Sequence, residues 1–188
     1  MQIIKPVTVT NAILTSSTVA EDDHAEWEST ATYAIGNKVI VKGVTHKVFE
    51  SLTDGNISQN PVGGDGTQWL TLGATNRWKA FDQKIADQVV QTGSINYVFG
   101  NYNSNVTSVA LFNLLGISVN VTVTSATVEV YNRTISLVDN RNINDWFTYF
   151  FEDQVQKETA QFIDIPPYRN AAISITVTAA TGTDAKLG

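Results

Sequence analysis

Val119-Asn-Val-Thr-Val123 is the stretch on which the fold turns. Valines at every second position, with Asn120 and Thr122 between them, put one apolar face and one polar face on an extended chain. Ala126, Val128 and Val130 continue the alternation, and Ile173, Ile175 and Val177 repeat it near the end. Repeated half-buried strands of this kind predict an antiparallel, jelly-roll-like β-sandwich over residues 76–188. One short helix is expected in this region, over residues 82–90. One run breaks the alternation. Asp145-Trp-Phe-Thr-Tyr-Phe-Phe151 reads as a strand with Trp146 and Phe150 on one face and Phe147, Tyr149 and Phe151 on the other. A strand apolar on both faces is either central in the fold or covered by another subunit.

Upstream, the punctuation changes. Residues 24–75 form a compact module rich in turn signals. Gly36-Asn37-Lys38-Val39-Ile40-Val41 reads as a strand, Lys42-Gly43 as a hairpin turn and residues 44–50 as the returning strand. A loop follows, from Thr53-Asp54-Gly55-Asn56 to Gly63-Gly64-Asp65-Gly66, too dense in Gly, Asn and Asp to continue a regular element. It closes on Trp69. Residues 1–23 alternate weakly, end in Glu21-Asp22-Asp23, and read as an extended arm able to add a strand to a neighbouring sheet edge. The fold class is therefore mainly β: arm, small twisted-sheet domain, sandwich.

Composition narrows the function. The 188 residues are 43% hydrophobic, enough for a real core, and only 16% charged, where about a quarter is usual. Thr, Val, Asn and Ser fill the difference, as strands and turns require. The formal charge of −6 and scattered basic residues argue against a nucleic-acid or membrane-surface partner. Without cysteine there are no disulfides, thiolate metal sites or thiol nucleophiles. The N-terminus lacks the apolar segment of a signal peptide, and no stretch approaches the roughly 20 apolar residues of a membrane span. Synthesis in a cytoplasm is expected, with no membrane insertion. The ending Ala185-Lys-Leu-Gly188 is abrupt for a sandwich and suggests a longer parent chain.

Trp27, Tyr33-Ala-Ile-Gly36-Asn37-Lys-Val39, Gly43, Phe49-Glu50, Asn60-Pro61 and Trp69 occur in an order that resembles the small chitin-binding type of carbohydrate-binding module (family 5/12-like). Asn37 stands where that family has Asp, and His46 where it has Tyr. The resemblance implies a small twisted sheet with exposed aromatics that stack on sugar rings. A wider series adds Pro6-Val-Thr-Val-Thr, Ser16-Ser17-Thr18-Val19-Ala20-Glu21, Gly73-Ala74-Thr75-Asn76-Arg77-Trp78 and Phe81-Asp82 around the module. This frame resembles a family of tailed-bacteriophage virion proteins encoded among tail and fibre genes. It implies a structural role in the virion tail, at the tip, baseplate or fibre attachment. The implied partners are copies of itself, other phage tail proteins and a host surface polysaccharide.

The candidate ligand residues are Trp69, Trp27 and His46. A pyranose packs its C–H face on an aromatic surface, and Trp69, beside the Gly-rich loop, is the first choice. The competing reading makes the large aromatics core, with Tyr33 and Phe49 the clearest cases and Trp78 packing the module onto the sandwich. Asp54, Asn56 and Asp65 invite a calcium site, against which Asx-turns in a solvated loop suffice. His24 and His46 are too few for zinc, and for His46, at a position where the resembled family keeps an aromatic, packing is the expected role. Glu152, Asp153 and Glu158 fall in a polar stretch that reads as exposed loop, and no nucleophile elbow or phosphate loop occurs. The Asn-x-Ser/Thr sequons at Asn56, Asn105, Asn120 and Asn132 carry no functional weight. No cofactor, metal or catalytic residue is expected. The leading expectation is a non-enzymatic, homo-oligomeric tail protein. The alternative is a lectin-like receptor-binding protein acting through the module. A weaker third is an accessory module of a polysaccharide-degrading enzyme.

Overall fold

The computed structural model describes residues 6–84, 86–102, 104–139, 145–151 and 155–188. These form a mainly β protein built from several antiparallel sheets. The arm enters through a turn in which Ile13 and Leu14 both donate their N–H to the Thr10 carbonyl, and continues as β1 (Leu14–Ser17). Leu14 and Val19 are buried in the core of their own chain.

The module contains β2 (Thr32–Tyr33), β3 (Lys38–Lys42), β4 (His46–Ser51), β5 (Asn56–Ile57) and β6 (Trp69–Ala74). β3 and β4 form the expected hairpin, β6 pairs with the free side of β4, and β2 pairs with β5. Val39, Phe49 and Trp69 make a small separate core, with Trp27, Tyr33 and Val41 packed at its margin.

A 3-10 helix over Asn76–Phe81 leads out of the module and buries Trp78. The helix expected over residues 82–90 does not form. Asp82 Oδ1 accepts the Lys84 N–H (2.9 Å), Gln83 sits at φ +62°, and the β-branched pair Val89-Val90 opens a strand. That strand is β7 (Val89–Thr92), followed by β8 (Ser94–Phe99), β9 (Val109–Leu111), β10 (Ser118–Ser125) and β11 (Val128–Ser136). After β12 (Val138–Asp139) come the α-helix α1 (Trp146–Phe151), β13 (Val155–Gln156), β14 (Ala160–Phe162), β15 (Ala172–Thr178) and β16 (Asp184–Leu187).

The main sheet has the order β1-β8-β15-β10-β11, antiparallel throughout. Its inner face carries Val119, Val121 and Val123 beside Ile173, Ile175 and Val177, all buried. Each contributes roughly 1.5–3 kcal/mol relative to exposure. The pairs β7–β16 and β9–β14 supply Val89, Leu187, Leu111 and Phe162 to the same core. The outer face is held by bonds donated by side-chain amides: Asn96 Nδ2 donates to the Ser174 and Thr176 hydroxyls, and Asn120 Nδ2 to Asn132 Oδ1 and the Thr134 hydroxyl.

Three expectations change. Ala126 and Thr127 form the β10–β11 turn at φ +47° and +71°, and a bulge at Val123/Thr124 shifts the register. Val128 is consequently 62% exposed, and Val130 packs inward in its place. The aromatic run at residues 145–151 is a helix rather than a strand. Trp146 stacks on Phe150 (centroids 6.1 Å) and Phe147 meets Phe151 (4.9 Å), both spaced i, i+4. The run is also not core, since Trp146, Phe147, Phe150 and Phe151 are 66–78% exposed. Finally, residues 14–17 pair with β8 of the same chain, so this part of the arm is the edge strand of the main sheet.

Candidate functional site

The module's sugar-stacking candidates lie deeper than an exposed platform requires. Trp69 is 6% exposed, set edge-on against Tyr33 (5.2 Å) and anchored by Nε1 donating to the Gln59 carbonyl (2.9 Å). Trp27 is half-buried against the same core, and its backbone N–H donates to the Ile40 carbonyl (2.9 Å). Both rings therefore serve the module's interior, and so does Phe49. The half-buried Tyr33 receives the Glu28 N–H on its hydroxyl (2.8 Å). What faces solvent is a groove of about 410 Å³ between the sheet and the Gly-rich loop. Phe49 and Trp69 contribute to its floor, with Lys47, Gln59, Asn60 and Asp65 around them.

The loop is organised by its own hydrogen bonds. Asp65 Oδ1 accepts from the Thr67 hydroxyl (2.6 Å) and N–H (3.0 Å), and these bonds hold its carboxyl below the ordinary carboxylate range. Asn60 Oδ1 accepts the Val62 N–H (2.9 Å), and Asp54 Oδ1 accepts the Ile35 N–H (2.9 Å). Asn56 is buried and donates to Ser51 and Gln68. Asp54, Asn56 and Asp65 are thus tied to separate backbone sites. Among the described residues no group of three or more His, Asp or Glu side chains is placed to hold a metal ion.

His46 occupies a different place from the two tryptophans. It is 5% exposed, its ring lies 4.8 Å from that of Trp78, and its Nδ1 contacts both oxygens of Glu21 (2.7 and 2.9 Å). Glu21 Oε1 also accepts the Thr75 hydroxyl (2.7 Å), and Arg77 Nη1 stands 3.5 Å from Oε2. Arg77 Nε in turn donates to the Val19 carbonyl (2.8 Å), and Asp23 accepts the Asn76 N–H (3.1 Å). One buried carboxylate from the arm therefore ties the module, through His46, to the start of the sandwich. Trp78, 1% exposed, packs at this junction as expected. The acidic cluster at residues 21–23 reads in sequence as the end of an extended arm. Its partners lie 25 and 54 positions away along the chain, so no local pattern announces them.

The remaining candidate surface is α1, with its four exposed aromatics. Glu158 is exposed, and residues 152 and 153 lie outside the described residues. Among the described residues no helix is long and apolar enough to cross a membrane. No protein-family model, curated protein or solved structure matches the chain.

Proposed function

We propose that this chain is a non-catalytic structural protein of a bacteriophage tail, acting at the tip, baseplate or fibre attachment by assembling with copies of itself and with other tail proteins. The observation that carries an assembly role is α1, which holds four large aromatics in solvent. Contiguous apolar surface beyond a few hundred Å² is characteristic of interaction sites rather than of isolated monomers. The attribution to a tail rests on the sequence frame from Pro6 to Asp82. Immunogold labelling of particles induced from the host that carries the gene tests it. Label at the tail is expected, and particles that bind no antibody would sink the reading.

A second reading is host-glycan binding by the module, favoured by the groove beside the Gly-rich loop. A groove ringed by amide, carboxylate and ammonium groups suits a polyhydroxylated ligand. Copies presented together would raise effective affinity by about 10²–10⁴. A glycan panel containing chitin oligomers and host envelope polysaccharide tests this, with Asn60→Ala and Lys47→Ala as site variants. Trp69→Ala is unsuitable as a site control, because that ring belongs to the module core.

A further inference from the structure

The four α1 aromatics together present on the order of 500–600 Å² of apolar surface, taking about 150–250 Å² per ring side chain and their high exposure. That is at the upper end of the largest patch carried by an ordinary monomer. It also approaches the roughly 800 Å² per partner of a stable specific interface. The size therefore calls for a protein surface as its cover. The charge balance disfavours an anionic lipid surface, since the chain carries −6 and Asp145 immediately precedes the helix.

A receptor of suitable shape exists on the same molecule. At the end of the sandwich where β10 begins and β15 ends, a groove of about 440 Å³ is lined by Leu115, Ile117 and Ala180. Gln156, Asp184 and Lys186 also line it. Leu115 and Ile117 are 36% and 42% exposed, so this wall is open. A cavity of about 150 Å³ accepts a benzene ring, which gives this groove of about 440 Å³ room for about three such rings. Phe151 and Gln156 are five residues apart, so helix and groove lie within about 18 Å of each other along the chain.

We infer that α1 of one copy enters the Leu115–Ile117–Ala180 groove of a second copy, and that the second copy's α1 enters the first copy's groove, about a two-fold axis. The closeness of knob and groove is what favours this arrangement. An isologous pair needs both halves of the contact on one patch. The inference deepens the assembly role proposed above and rests on it for its biological setting. The contact itself is a property of the purified protein.

Sedimentation equilibrium on the intact 188-residue chain tests it. Wild type is expected to be a dimer at tens of micromolar. Phe147→Ser/Phe151→Ser, which removes the knob, and Ile117→Arg, which blocks the groove, should each raise the dissociation constant at least 100-fold while circular dichroism and the thermal midpoint stay unchanged. If Ile117→Arg fails to fold, Ala180→Trp fills the same groove from an exposed position. An equimolar mixture of knob and groove variants should recover a weaker heterodimer through the one intact helix and the one intact groove. A monomeric wild type, including one that binds neutral phosphatidylcholine vesicles, overturns the inference. So does a groove variant that stays dimeric, or a mixture that stays monomeric. A monomer that still labels the tail would sink only this contact, and a dimer absent from particles would sink only the tail assignment.

Discussion

Glu21 shows how one side chain can hold three parts of a chain together. Its carboxylate is 4% exposed and is met by His46, Thr75 and Arg77. Removing one member of a buried polar cluster leaves the others short of partners, which costs more than the cluster contributes against an apolar alternative. Glu21→Ala should therefore lower unfolding free energy by about 3 kcal/mol in urea titration, near the lower bound for buried pairs because Arg77 is partly solvated. Glu21→Gln, which can still accept from Thr75, should cost less. Tyr97 is simpler. Burial pushes its phenol far above the ordinary value, and its hydroxyl donates to the Arg77 carbonyl (2.6 Å). Tyr97→Phe should cost about 1 kcal/mol by the same titration. At the sheet margin, Asp164 accepts from the Tyr131 hydroxyl (2.7 Å) and Arg133 (3.0 Å). The Tyr131 bond first, and Arg133 after it, hold this carboxyl below the usual range. A depressed folded value means the contribution is present above the unfolded carboxylate pKa and lost as pH falls through the lower folded one. The stability difference between wild type and Asp164→Asn should thus stay constant from neutral pH to about 5 and shrink below about 4. A difference that grows in acid would contradict the assignment.

At the scale of elements, the turn between β10 and β11 is the clearest strained feature. Both central residues lie at positive φ, and one of them is the β-branched Thr127. Two-residue hairpin turns of this hand favour Asn-Gly. Thr127→Gly should raise stability by about 1 kcal/mol, seen as a higher thermal midpoint. An unchanged or lower midpoint would show the strain to be absent. The small core of the module makes the opposite prediction. Trp69→Ala should destabilise it by about 3–5 kcal/mol, with hydrogen exchange accelerating at Val39 and Phe49 before Val121 and Ile175. These elements also show what could be read from sequence and why. The β10 and β15 alternation was legible because one face is dry and the other wet, so each side chain reports its side. The β3–β4 hairpin was legible through Gly43. The aromatic run of α1 was not, because Trp, Phe and Tyr favour strands in general, and six consecutive residues fit either period when nearly all are apolar. The Thr127 turn was hidden for the converse reason, since nothing in Ala-Thr signals a positive φ.

For the whole molecule, the organising feature is the separation between two buried clusters, Val39, Phe49 and Trp69 in one and the main-sheet core in the other. It is bridged by groups whose sequence context points to other tasks. His46, a candidate ligand residue, holds the arm's carboxylate. The arm, expected to leave, is an edge strand. Wild type should accordingly unfold in one calorimetric transition, and Glu21→Ala should resolve a separate, earlier transition for the module. A single transition in that variant would mean that Trp78 packing alone couples the two. The arm's place in the sheet also has a consequence for synthesis. Leu14 and Ser17 find their partners at Phe99 and Tyr97, so this strand leaves a ribosome with its sheet partner still unmade until β8 follows. At about 5–20 residues per second, that is a wait of several seconds. β8 must then wait again for β15, nearly eighty residues later, before its second side is closed. Until its partner emerges, the nascent β1 is open to capture by whatever sheet edge it meets, and β8 stays open on its second side for longer still.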